Sequence, residues 1–169
     1  MDRQAVLDEL RDARETFRAL VQNASVEDLR RPTVGTRWTN RELLFHMLFG
    51  YIITVPLIWM AKVLGYLPGW ATKPFAALLN AGTAPFNYVN YLGSRIGGRI
   101  LGPAAMVRWF DRVTNWLGRW LLRESDRTLA RGMHYPTRWD PFFKDFMTLA
   151  DIYHYPTQHF GWHRRQLSL

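Results

Sequence analysis

"RWTNRELLFHML", residues 37–48, carries an indole at its second position, Trp38, and closes inside an apolar run. Thr39 and Glu42 stand three apart, the spacing of a capping box, in which each side chain satisfies an N–H that the first helical turn leaves unpartnered. A helix therefore starts at "TNRE", and His46 falls on its second turn, facing inward if Leu43 and Met47 do. From Leu43 to Ala61 the helix carries no formal charge, close to the roughly 20 apolar residues that span a bilayer. His46, Thr54 and Pro56 inside the run, beside a strongly amphipathic first helix, favour a buried core helix over a membrane span.

Upstream, Val6, Leu7, Leu10, Ala13, Phe17, Leu20 and Val21 recur at helical spacing with charged residues between them, an amphipathic helix. Ser25 and Asp28 predict a short capped turn, and Pro32 and Gly35 mark the loop after it. Downstream, residues 65–102 shift to Gly, Pro, Asn and aromatics and read as an insertion between core helices. Thr72 before Lys73–Pro74 and Thr83 before Ala84–Pro85 each look like a cap with proline in the first turn, which predicts two short helices. Their apolar surface must meet the bundle, a second subunit, a lipid surface or a ligand cavity beneath a lid.

A third core helix is expected from Pro103 to near Gly132, burying Met106, Phe110, Val113, Leu117, Trp120 and Leu121. Its other side carries Arg108, Arg112, Arg119, Arg123, Arg127 and Arg131 with Trp109 and Trp116 beside them. That face suits either phosphate or anionic lipid, or plain solvation with Glu124 and Asp126 offsetting part of the charge. Asp140 and Pro141 read as the cap and first residue of a last helix that runs to about Leu167. The fold class is all-α.

The totals agree with one domain, residues 1–169. The 169 residues are 48% hydrophobic and 15% aromatic, which excludes disorder, and the net charge is +8. No recognition helix or aromatic platform accompanies that charge, so nucleic acid is not expected as a partner. Cysteine is absent, so any thiol chemistry must use a thiol brought in from outside. The charged N-terminus "MDRQAVLDELRDARETF" lacks the apolar run of a secretion signal, which makes a cytoplasmic location the expectation, with peripheral membrane contact through the insertion.

On the last helix Thr148, Ile152, Tyr155, His159, His163 and Gln166 fall along one stripe. His159 and His163 are four apart, so their imidazoles can converge on one ion or one substrate atom, and Pro156 frees the carbonyl of Ile152 just before them. With His46 they make a three-imidazole set of the kind that holds a catalytic metal with an open position. The competing reading is that all three are polar core residues without metal. His134, in the "GMHYP" loop, and His154, rotated off the stripe, are weaker candidates. Glu42 four before His46, Tyr155 four before His159 and Gln166 three after His163 are placed to orient the imidazoles, though each also suits a plain structural role.

"RWTNRELLFHML" together with "HFGWHRRQL" resembles the DinB-like metal-binding superfamily of four-helix bundles. The resemblance implies a four-helix bundle with metal ligands His46, His159 and His163, a divalent ion such as zinc or nickel, and a small-molecule substrate. Its best-understood members are transferases or isomerases that use low-molecular-weight thiols such as bacillithiol or mycothiol. The long aromatic insertion at 65–102 and the proline in "YPTQHF" depart from the family pattern. The expected function is a divalent-metal-dependent thiol S-transferase or hydrolase that assembles as a homodimer. The alternative is a non-catalytic, metal-stabilised interaction protein whose insertion binds lipid, a subunit or a protein partner.

Overall fold

The computed structural model covers Met1–Leu169. In chain order the elements are α1 (Arg3–Asn23), α2 (Val26–Arg30), α3 (Asn40–Leu64), α4 (Gly69–Ala81), α5 (Thr83–Ile100), α6 (Pro103–Leu121), α7 (Asp126–Leu129), β1 (Gly132–His134), β2 (Phe146–Thr148) and α8 (Leu149–Arg164). The capping box expected at Thr39 and Glu42 forms on α3, and the capped turn expected at Ser25 and Asp28 is the short helix α2, closed by a capping box of its own. They fix where each helix begins by supplying the N–H partners that helix geometry leaves missing.

α1, α6, α3 and α8 close a four-helix bundle in that cyclic order, each packed on its two neighbours. Each helix sends one ring to the centre. Phe17 of α1 stacks on Phe110 of α6 at 4.2 Å between centroids, and Tyr51 of α3 and Phe160 of α8 lie 4.6 and 5.7 Å from the same Phe110 ring. All four rings are buried, each worth about 1.5–3 kcal/mol of apolar transfer. α3 is long and apolar enough to cross a membrane, but 13 of its 25 residues are buried against the other helices, as the central helix of a bundle requires.

Three expectations are corrected. α6 stops at Leu121 rather than near Gly132, because the Ser125 hydroxyl accepts from the Thr128 N–H and starts the separate turn α7. The arginine row is thereby divided, with Arg123, Arg127 and Arg131 beyond α6. α8 begins at Leu149 rather than at Pro141, capped by Thr148 and Asp151. The residues before it form an antiparallel ribbon, β1 with β2, in which Met133 faces Met147, while Asp140 caps only its own turn through the Phe142 N–H at 2.9 Å. Finally, neither Thr83 nor Thr72 is a helix cap: Thr83 is the first residue of α5, after Gly82, and its hydroxyl donates to the Asn80 carbonyl. α4 already starts at Gly69, and the buried Thr72 hydroxyl donates to the Gly69 carbonyl and accepts the His134 N–H.

Of the insertion's two helices, α5 reaches 18 residues, and it lies along α3. "GSRIGG", residues 93–98, explains how close it comes. A Cβ on Gly97 would overlap the Phe45 ring, and one on Gly98 would sit 2.8 Å from the Glu42 Cα. The glycine pair lets the two backbones approach without side chains between them. Ser94, one turn earlier on α5, is thereby brought to the level of His46.

Candidate metal centre

His46, His159 and His163 converge between α3 and α8, all buried, with one potential ligand atom from each lying within 4.8 Å of the other two. His46 Nε2 and His163 Nε2 face each other at 3.1 Å. Two nitrogens each about 2.0–2.1 Å from one tetrahedral ion would stand roughly 3.3 Å apart, so the pair is spaced as for a shared cation.

The far side of each ring is held differently. Gln166 Oε1 lies 2.6 Å from His163 Nδ1, and an amide oxygen can only accept, so Nδ1 carries the proton and Nε2 is left with its lone pair. Ser94 Oγ stands 3.1 Å from His46 Nδ1. His159 Nδ1 is buried without a hydrogen-bond partner, and its ring occupies the space that a side chain at residue 50 would fill: a Cβ on Gly50 would lie 2.8 Å from that nitrogen.

Burial keeps the trio neutral. It pushes the His46 imidazole down to about 3, helped by the neighbouring His163 charge and opposed by a contact with Asn90. Burial likewise lowers His163 to about 4, against the Gln166 hydrogen bond. His159 falls well below its ordinary range, from burial first and then from His46 and His163. Neutral imidazole is the ligand form, so no proton need leave these rings at neutral pH before a cation can bind.

An aromatic shell closes around the rings. Trp38 stacks on His46 at 4.5 Å, and Trp162 lies 4.6 Å from His163. The Trp38 indole N–H reaches the Tyr91 carbonyl at 3.4 Å, which ties the loop before α3 to α5. One carboxylate joins the site: Asp140 Oδ2 lies 3.5 Å from His159 Nε2 and accepts the Tyr155 hydroxyl at 3.0 Å. Burial raises the Asp140 pKa, against hydrogen bonds from the Phe142 N–H and Tyr155.

The histidines singled out in the sequence therefore come together, while His134 lies against Asp145 and His154 against Glu9. Gln166 touches His163 directly, and Tyr155 reaches His159 through Asp140. Glu42 turns away from His46, its carboxylate taken by the Thr39 N–H and by Arg99, with Arg95 beyond. Asp140 and Ser94 were not read as site residues. "WDP" looks like a helix cap, and a serine in a glycine-rich helix has no local signature of a histidine partner.

The trio opens onto a groove of about 610 Å3 between α3, α4, α5, α8 and the loop before β2. The three neutral, clustered imidazoles, two with oriented far nitrogens, match the donor set of a divalent ion.

No curated protein and no solved structure matches the chain. The sequence profile of the DinB superfamily matches residues 9–167. The chain belongs to the DinB superfamily, a metal-binding family of helical bundles, and its three buried histidines are a group that could hold a metal ion.

Proposed function

We propose that the protein is a divalent-metal-dependent enzyme of the thiol S-transferase or hydrolase type, with His46, His159 and His163 as the ligands of a zinc or nickel ion. The observation that carries this reading is the meeting of three buried, neutral imidazoles at the end of an open groove. Bound there, the ion supplies Lewis acidity that lowers the pKa of an incoming thiol or water toward neutrality. Gln166 fixes the His163 tautomer, and Trp38 and Trp162 keep bulk water from the flanks of the rings. Asp140 is the one carboxylate among the groove residues, so its Oδ2 is the acceptor placed to take a proton from the nucleophile. Since the chain has no cysteine, the sulfur of a transfer reaction comes from a free low-molecular-weight thiol such as bacillithiol or mycothiol.

Elemental analysis of tag-free protein tests the site. About one equivalent of metal is expected in the wild type and none in His159→Ala or His163→Ala. His159→Ala is expected to abolish turnover of a thiol and electrophile pair while helical content is retained. Wild-type protein that stays metal-free after reconstitution would refute the proposal.

A different observation favours a second reading, in which the insertion binds a lipid surface. Between Glu42 and Asp111 the sequence has no acidic residue but five basic ones, Lys62, Lys73, Arg95, Arg99 and Arg108. Over the same span Trp59, Tyr66, Trp70 and Tyr88 are exposed. Cations among exposed aromatics suit an anionic membrane surface. Flotation with anionic vesicles at low salt, lost with neutral vesicles, supports it, and no flotation at either salt removes it.

A further inference from the structure

We infer that the groove takes an amphipathic substrate, with a polar reacting head at the histidines and an extended apolar body laid along α3 toward Met60. This deepens the metal-dependent reading and rests on it for the position of the head. Along α3 the lining runs from His46 to Met60, about 21 Å at 1.5 Å per residue. The only charged lining groups are Arg37 and Asp140. Both are at the histidine end: Arg37 adjoins Trp38, which stacks on His46, and Asp140 reaches His159.

Beyond that end the wall is Ile53, Leu57, Met60, Phe75, Leu79 and Phe143, with no ionisable group. The wall is pinned in place. The Trp139 indole N–H donates to the Leu79 carbonyl at 2.9 Å, and the same indole stacks on Phe86 at 4.0 Å, joining the loop, α4 and α5. The Tyr135 hydroxyl donates to the Leu57 carbonyl at 3.2 Å, holding the far end of the α3 wall. A wholly polar substrate would leave this length of apolar surface wet, and a wholly apolar one would bury Asp140 and the imidazoles against hydrocarbon. Only a molecule polar at one end and apolar along its length satisfies both. The insertion thus has a chemical role: α4 contributes Phe75 and Leu79 to the hydrocarbon wall, and α5 contributes Asn90 and Ser94 near the metal ligands.

Two homologous probe series test this on the full-length protein. Unbranched primary alcohols from butanol to decanol, titrated into metal-free protein, read the apolar wall alone. Affinity is expected to rise between about twofold and fourfold per methylene. Acetohydroxamate, hexanohydroxamate and decanohydroxamate, titrated into zinc-loaded protein, add a metal-seeking head. They are expected to show the same increment, with every member tightened by zinc. Phe75→Asp and Leu79→Asp, read separately so that one folding failure is not decisive, should flatten both series and leave acetohydroxamate binding unchanged. Affinity independent of chain length, or unmoved by both substitutions, overturns the inference. Length-dependent alcohol binding with no strengthening of hydroxamates by zinc overturns the metal reading and the placement of the head, and leaves the apolar wall standing.

Discussion

Gly50→Ala isolates the fit between α3 and the His159 imidazole. A Cβ at residue 50 would lie 2.8 Å from His159 Nδ1 and 3.1 Å from Cε1, whereas such contacts settle at about 3.5 Å. The ring must therefore retreat by about 0.7 Å at Nδ1, more than three times the ~0.2 Å that metal–nitrogen distances tolerate. A loss of ~10–100-fold in zinc affinity follows, or ~1.4–2.7 kcal/mol. Helix propensity works the other way, since alanine in place of glycine favours a helix by about 1 kcal/mol. The folded state should therefore lose little while the metal site loses much. Gly161→Ala is the matched control, because a Cβ there meets nothing within 4 Å although the residue lies in α8 between the two histidines. Zinc competition against a chromophoric chelator, with urea unfolding of the metal-free variants, reads both quantities. Wild-type zinc affinity in folded Gly50→Ala would refute the placement of His159 as a ligand, and an equal loss in Gly161→Ala would show that the effect is not local.

The metal-free protein should weaken in acid. His46 is held near 3 when folded against about 6.5 when unfolded, so the unfolded chain takes up a proton first as pH falls. Stability is then full above about pH 6.5 and declines toward pH 3, by at most about 5 kcal/mol from this residue; urea midpoints at several pH values check the sign. Gln166→Ala removes the acceptor at His163 Nδ1 and should weaken zinc by ~10–100-fold, with Gln166→Glu keeping most of the affinity, both read by the same competition. Gly97→Ala drives a methyl into the Phe45 ring and should cost about 1–3 kcal/mol in urea unfolding, while Gly93→Ala, which meets open space, should be neutral or stabilising.

How much of this was legible in the sequence depended on how local the signal was. The cap at Ser25, the capping box at Thr39 and the apolar stripe of α1 are short-range patterns, and each is found where it was expected. The His159–His163 spacing was visible because residues four apart on a helix are neighbours whatever the tertiary fold. The start of α8 was misplaced because Asp140–Pro141 has the chemistry of a cap, and only pairing of β1 with β2, strands of three residues each, shows that the chain is not yet helical there. Such short strands have no usable periodicity. Ser94 at His46 and Asp140 at His159 are contacts between distant segments, set by how closely α5 and the loop approach the bundle. Gly97 and Gly98 permit that approach, but as letters they read equally well as a flexible stretch.

His46 and His163 are 117 positions apart. Until α8 seats against α3, the chain offers a cation one isolated imidazole on one segment and a single pair on another. A three-imidazole site of the kind proposed above therefore exists only once α8 is packed on α3, and an ion bound tightly there would draw the population toward the native state by mass action. On that proposal, bound metal per chain becomes a gauge of how many molecules have brought α3 and α8 together, and withdrawing the metal would lower the stability of the native state by the linkage term alone.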